Sequence, residues 1–153
     1  MKTENIELIA QKFLDAHKSN RLPIDVESLV SSIGFCIEYE NFSNPNIALL
    51  VPNRRLIKVK ASCDGLKKRL SIAQELGHYL LLHTEYGPNI RKKLYSRFEN
   101  EADYFARALL MPQHLIQENL SRGDAAFLFK VEPAVLQERL HDLGYALVDI
   151  NLG

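Results

Sequence analysis

The sequence has little cysteine, no excess of charge and no long hydrophobic run. Its two cysteines, Cys36 and Cys63, form no C-x-x-C pair, which predicts buried thiols in a reducing compartment. Basic and acidic residues number 19 each, so no overall field favours nucleic acid or an anionic membrane. No apolar run approaches the ~18 residues of a membrane span, and the first residues carry no apolar signal segment. We therefore expect a soluble, cytoplasmic protein that does not insert into membranes.

The residues that are present have an ordinary globular composition. The chain has 153 residues, of which 46% are hydrophobic and 25% are charged. A chain of this length can bury a core without disulfides or metal ions. Because it contains no repeat, linker or low-complexity tract, we expect one domain over residues 1–153.

Hydrophobic periodicity predicts helices first and short strands next. Apolar residues at helical spacing predict a helix over about residues 4–18. A second helix is expected to begin at the N-cap Asp25 and to end at Gly34. The runs FCIEY, IALLV and LIKVK are separated by turn-rich stretches, which predicts a small antiparallel meander.

The second half of the chain is predicted to be mostly helical. Helical patterns recur at about residues 66–83 and 98–110, with an irregular basic loop, RKKLYSR, between them. Two short helices, at about 113–120 and 124–130, and a final helix that starts at Pro133 are expected next. The run YALVDI predicts a short terminal strand. The expected fold class is therefore α+β, with N-terminal helices, a small sheet, a helix pair and further C-terminal helices.

The run QELGH, residues 74–78, differs by one letter from the zinc-peptidase pattern H-E-x-x-H. In such a helix, two ligands four residues apart project from one face toward one metal ion. The glutamate beside the first ligand can take a proton from the metal-bound water. Here Gln74 and His78 occupy the two ligand positions, and Glu75 occupies the position of the general base.

A third ligand has to come from another element, and the predicted helix at 98–110 offers two acids. Glu99 and Asp103 are four residues apart and share a face beside the apolar stripe. The pair suggests a division of labour in which Glu99 binds the metal. Asp103 would then accept a hydrogen bond from the ring nitrogen of the ligand histidine that faces away from the metal.

Two runs resemble the signatures of the ImmA/IrrE family of metallopeptidases. KKRLSIAQELGHYLLLH is similar to R-x-x-x-A-H-E-L-G-H-x-L-L-H, with Gln74 in place of the first histidine. ENEADYFARALLMP is similar to E-x-x-A-N-x-F-A-x-x-L-L-M-P, with Asp103 where asparagine is usual. The order of elements also agrees, and the tail FKVEPAVLQERLHDLGY resembles the helix-turn-helix-like ending of the family. The resemblance covers about residues 5–145.

The resemblance implies a zincin-like fold and a zinc site made by residues 74, 78 and 99, with Glu75 as the general base. Members of the family act inside bacteria and their mobile elements. They cleave or inactivate helix-turn-helix repressors, which relieves the repression of phage, integrative-element or stress genes. A repressor protein of this class is therefore the partner that the resemblance implies.

Gln74 changes the chemistry expected of this site. The usual protein ligands of zinc are cysteine, histidine and carboxylate, whereas a carboxamide is an uncharged and weak donor. A site of Gln74, His78 and Glu99 is expected to hold zinc less tightly than a two-histidine site, or not at all. Three interpretations stay open: a pseudo-peptidase that keeps a binding cleft, a working peptidase with weak coordination, and a substituted form of an active enzyme.

Three further residues near this motif have weaker signals. His83 lies five residues beyond His78, which rotates it off the ligand face and favours an interaction with the helix C-terminus. Its alternative role is to line the cleft. Tyr86 and Tyr95, in the loop between the two site helices, are candidate donors to an oxyanion.

The alternative function is a DNA-associated regulator that uses the helix-turn-helix-like segment from Asp124 to Gly144. The second helix of this segment has a single arginine, Arg139, against three acids that would repel phosphate: Glu132, Glu138 and Asp142. The basic runs at 67–69 and 91–93 are expected to be solvated surface. We therefore expect no direct binding of nucleic acid.

Overall fold

The computed structural model describes residues 1–121 and 123–145, and over these residues it contains eight α-helices and three β-strands. The helices are α1 (Thr3–Ala16), α2 (Val26–Ser32), α3 (Gly65–Leu80), α4 (Pro88–Lys93), α5 (Tyr95–Leu110), α6 (Gln113–Asn119), α7 (Ala125–Phe129) and α8 (Pro133–Asp142). The strands are β1 (Cys36–Glu40), β2 (Ala48–Val51) and β3 (Leu56–Lys60). The predicted α+β class is confirmed. None of the helices among these residues has both the length and the apolarity needed to cross a membrane.

The sheet is mixed, and its strand order is β1-β3-β2. Strand β2 pairs with β3 in antiparallel orientation, but β1 runs parallel to β3. The prediction of an antiparallel meander is therefore wrong for β1. A parallel pair needs a crossover of a dozen or more residues, and residues 41–55, which include β2, provide it. The antiparallel strands β2 and β3 are joined directly, by a short 3-10 turn at Pro52–Arg54.

Local signals set most of the helix ends. The Asp25 carboxylate accepts a hydrogen bond from the backbone N–H of Ser28 at 3.1 Å, and Gly34 has a φ of 82°, as predicted. Pro133 lies in the first turn of α8, also as predicted. The basic stretch after Pro88 is not an irregular loop, because Pro88 starts a helix and only Leu94 separates α4 from α5. Most of the proposed terminal strand, YALVDI, lies outside the described residues.

The helices α3 and α5 pack against each other in the centre of the molecule, with α1 on the far side of α5 and the sheet beside α3. A methyl group at Gly77 would lie 2.9 Å from Cδ1 of Phe105 and 3.3 Å from the carbonyl oxygen of Ala102, so glycine permits this close approach. Phe105 and Leu109 are completely buried. This packing brings the C-terminal half of α3 beside the N-terminal half of α5.

Candidate functional site

A cavity of about 250 Å³ opens between β2, the C-terminal half of α3 and the start of α5. Four of the five residues predicted for the site line it: Gln74, Glu75, His78 and Glu99. Asp103 lies one helical turn beyond Glu99 on α5 and contacts the side chain of Gln74. The helical spacing therefore brings all five predicted residues together, as the sequence suggested.

His78 and Glu99 contact each other directly, with 3.0 Å between Nε2 of His78 and Oε1 of Glu99. This hydrogen bond lowers the pKa of the Glu99 carboxyl. Burial disfavours the charged form of His78, but its hydrogen bond to Glu99 and the charges of Glu75, Glu99 and Asp103 outweigh burial and raise its pKa. The pair is thus a histidine–carboxylate ion pair when the imidazole is protonated.

The pKa of the Glu75 carboxyl group is strongly affected by burial. Burial raises the pKa of Glu75 to about 7; the charge of His78 opposes this shift and the charge of Glu99 adds to it. The backbone N–H of Leu50 in β2 donates a hydrogen bond to the Glu75 carboxylate, which connects α3 to the sheet. A carboxyl group that titrates near neutral pH is suited to hold or release a proton in the cavity.

Gln74 uses its side chain to contact α5. Its Nε2 donates a hydrogen bond to Oδ1 of Asp103 at 2.8 Å. A carboxylate can only accept hydrogen bonds, so the NH₂ group of the amide faces Asp103 and the amide oxygen points away from it. The structure thus gives Asp103 a different donor from the predicted one, because the ring nitrogens of His78 contact Glu99 and His83 instead.

His83 contacts the site residue His78, which agrees with the alternative role considered for it and not with the favoured contact at the helix end. It is 3% exposed and stacks on Phe98, with 4.0 Å between ring centroids. Its Nδ1 lies 2.9 Å from Nδ1 of His78, and its Nε2 lies 2.9 Å from Oε1 of Glu101. The reason is the left-handed conformation of Leu82, with a φ of 63°, which turns the chain back toward α5. Leucine does not favour this conformation, so nothing in the sequence indicates the turn.

Glu101 is a residue that sequence reasoning missed. Besides His83, its carboxylate contacts the N-terminal amine of Met1 at 2.6 Å and Nε of Arg97 at 3.1 Å. Because Glu101 only accepts, Nε2 of His83 carries the proton and Nδ1 of His83 can accept from His78. Burial also lowers the pKa of His83, which favours the neutral ring that this arrangement requires.

The two tyrosine candidates differ in position. Tyr95 lines the cavity and is 61% exposed. Tyr86 packs against Phe98, with 5.2 Å between ring centroids. Tyr95 is therefore the better placed of the two to contact a molecule in the cavity.

The side chains at the site do not fit the zinc ion that the family resemblance implies. His78 and Glu99 are donors that zinc uses, but a site with three protein ligands needs a third. At the remaining position, the amide of Gln74 is an uncharged donor whose NH₂ group is hydrogen-bonded to Asp103. Within residues 1–121 and 123–145, no group of three histidine, cysteine, aspartate or glutamate side chains is arranged to hold a metal ion.

Comparison with known proteins agrees with the fold and with the motif. Residues 31–141 match the peptidase family described as the IrrE N-terminal-like domain. The fold resembles that of a Mycobacterium tuberculosis transcriptional regulator, with a TM-score of 0.66 and 14% sequence identity. The match covers 94% of this chain but 48% of that protein, so the chain spans about half of its length. No functionally curated protein shows significant sequence similarity to the chain.

Proposed function

Because the chain belongs to the ImmA/IrrE family of IrrE N-terminal-like domains, we propose that it binds a segment of a helix-turn-helix repressor in the cavity beside β2. It inactivates the repressor by holding this segment, without cutting it. The observation that carries the proposal is the cavity that Glu75, His78 and Glu99 line beside β2, which is the last strand of the sheet among the described residues.

Among the described residues, β2 pairs with another strand on one side only. Lys60 donates its backbone N–H to the carbonyl oxygen of Ile47 at 2.8 Å, so the backbone of Ile47 faces β3. Backbone groups alternate along a strand, so those of Ala48 and Leu50 face the opposite side, where the N–H of Leu50 donates to Glu75. That side is the outer edge of the sheet, since β2 is the last strand in the order β1-β3-β2. An extended peptide can add to such an edge as a further strand. The backbone of Ala48 is therefore the group that would pair with an added segment.

The residues across the cavity would contact the side chains or the backbone of the bound segment. Glu75 and Glu99 offer carboxylate oxygens, and Tyr95 offers an exposed phenol at the cavity wall. Zinc, where it is bound in such a site, activates water and polarises the peptide carbonyl. Because the residues of this chain do not fit zinc, binding is the activity that they support.

The DNA-associated alternative has less support. Arg139, the single arginine of α8, is completely buried, and its guanidinium donates to the Glu7 carboxylate at 2.8 Å and to the carbonyl oxygen of Met111 at 2.9 Å. It therefore holds α8 against α1 and α5 and is not available to a phosphate. The acids Glu138 and Asp142 pair with Arg107, so α8 offers no basic face.

A reporter experiment tests the proposal. Each helix-turn-helix repressor of the source organism is coexpressed with the protein and with a reporter gene that the repressor controls. We expect the protein to relieve repression by at least one of them, while an immunoblot shows that this repressor keeps its full length. If no repressor responds, the proposal is wrong. A shortened repressor that regains its full length with the Glu75→Gln variant would show cleavage and would also overturn it.

A cavity-filling variant tests the location of the binding site. Ser71 lines the cavity from α3, and we expect Ser71→Trp to abolish the relief of repression because the indole occupies the space for the segment. Lys67 lies one turn earlier on the same helix and is exposed, so Lys67→Trp is the matched control and should keep full activity. Equal activity of both variants would place the binding site elsewhere.

A further inference from the structure

Two direct contacts between side chains join α3 to α5 at the base of the cavity. Nε2 of Gln74 donates to Oδ1 of Asp103 at 2.8 Å, and Nε2 of His78 lies 3.0 Å from Oε1 of Glu99. In a zinc site of this type, the metal itself would connect the residues at 74 and 78 on one helix to the residue at 99 on the other. We propose that the two direct contacts take the place of the metal, so that the site is complete and stable without zinc.

The first argument concerns the contact between Gln74 and Asp103, which joins the two helices. An asparagine could present either its oxygen or its NH₂ group to Gln74, whereas the carboxylate of Asp103 accepts only. Asp103 therefore fixes the orientation of the Gln74 amide and acts as a positioning residue.

The second argument is that the side-chain nitrogens of Gln74 and His78 already have partners. The NH₂ group of Gln74 has Asp103, and the two ring nitrogens of His78 have Glu99 and His83. Throughout the part of the chain that the structure describes, no fully buried side-chain nitrogen or oxygen lacks a hydrogen-bond partner. Nitrogen atoms left for a missing ion would be without partners. The nitrogens of Gln74 and His78 are therefore satisfied by protein groups.

A zinc titration tests this inference without any activity measurement. The parent protein, Gln74→His and a control, Gln137→His, are dialysed against zinc, and bound metal is measured by mass spectrometry. Gln137 is exposed on α8, so the control adds a histidine away from the site. We expect no stoichiometric zinc in the parent or the control, and about one zinc per chain in Gln74→His, since histidine is a strong zinc ligand and its other ring nitrogen can donate to Asp103.

Thermal unfolding of the same proteins gives a second readout. Zinc should leave the unfolding temperature of the parent unchanged and should raise that of Gln74→His by on the order of 5 °C, because a ligand that binds the folded state stabilises it. Stoichiometric zinc in the parent, or a rise in its unfolding temperature with zinc, would overturn the inference. These measurements need no repressor, so their failure is distinct from failure of the proposed function.

A double-mutant cycle without zinc tests the contact between Gln74 and Asp103, even if Gln74→His fails to fold. The variants are Gln74→Met, Asp103→Leu and the double variant, which remove one or both partners of the hydrogen bond at similar side-chain size. Each single change leaves a polar group without its partner, whereas the double change removes both groups. We expect the double variant to lower the unfolding temperature by less than the sum of the two single changes. Additive effects would show that Gln74 and Asp103 are not coupled.

Discussion

Helices α3 and α5 contact each other through an apolar surface and a polar surface. On the apolar surface, the ring of Phe105 lies so close to Gly77 that a methyl group at position 77 would not fit. On the polar surface, Gln74 and His78 contact Asp103 and Glu99. The apolar surface stabilises the fold through the close packing of its side chains. On the polar surface, single donor and acceptor atoms determine whether a metal ion can bind. A change of one residue at the site can therefore alter its chemistry and leave the fold intact.

The largest effect is expected from a change on the apolar surface. Phe105 is completely buried between the two helices, and Phe105→Ala should lower the free energy of unfolding by about 3–5 kcal/mol because it leaves a cavity. Urea unfolding measures this loss. Phe127 is 83% exposed, and Phe127→Ala is the matched control, with an expected change within about 0.5 kcal/mol. Similar losses in the two variants would mean that the contact between α3 and α5 does not dominate stability.

The next effect depends on pH and concerns the polar surface. Burial raises the pKa of Glu75 to about 7 in the folded protein, against its ordinary value of 4.5. Between these values the folded state binds more protons than the unfolded state, so Glu75 makes stability fall as the pH rises through this window. The unfavourable contribution is absent below the unfolded pKa and is fully present above the folded one, where it amounts to up to about 3 kcal/mol.

The Glu75→Gln variant removes this titration and keeps an acceptor for the N–H of Leu50. We expect the variant to be as stable as the parent at about pH 4, and more stable by roughly 2–3 kcal/mol at about pH 8. Urea unfolding at a series of pH values measures the difference, which also includes the loss of the Glu75 charge that helps to raise the pKa of His78. If the difference does not change with pH, Glu75 has an ordinary pKa and the polar surface is better hydrated than the structure indicates.

A smaller effect is expected from Gly77, which contacts Phe105 on the apolar surface. Gly77→Ala would gain about 1 kcal/mol of helix propensity. The added methyl group would, however, lie 2.9 Å from the buried ring of Phe105, and overpacking of this kind costs about 1–3 kcal/mol. We therefore expect a net loss of about 1 kcal/mol in the free energy of unfolding, measured with urea. A net gain would show that the ring of Phe105 can move aside.

The sequence predicted the parts of this site that depend on helical spacing. Gln74, Glu75 and His78 lie near Glu99 and Asp103, because residues three or four apart on a helix share a face, while their roles stay predictions. Sequence reasoning did not favour His83 for the site and missed Glu101, since the two reach it through the left-handed turn at Leu82 and through contacts between distant residues. The parallel pairing of β1 was missed for a related reason: periodicity identifies strands but does not determine which strands are neighbours.

The smallest effect is expected from Asp103→Asn, which tests whether the polar surface needs the charge of Asp103. Burial and the charge of Glu99 raise the pKa of Asp103, so removing the charge relieves both unfavourable effects. The oxygen of an asparagine can still accept from Gln74, although a bond to a neutral acceptor is weaker than a bond to a carboxylate. These effects oppose each other, and we expect a change within about 0.5 kcal/mol at neutral pH, measured by urea unfolding. A loss well above about 1 kcal/mol would show that the carboxylate itself is needed to hold the Gln74 amide.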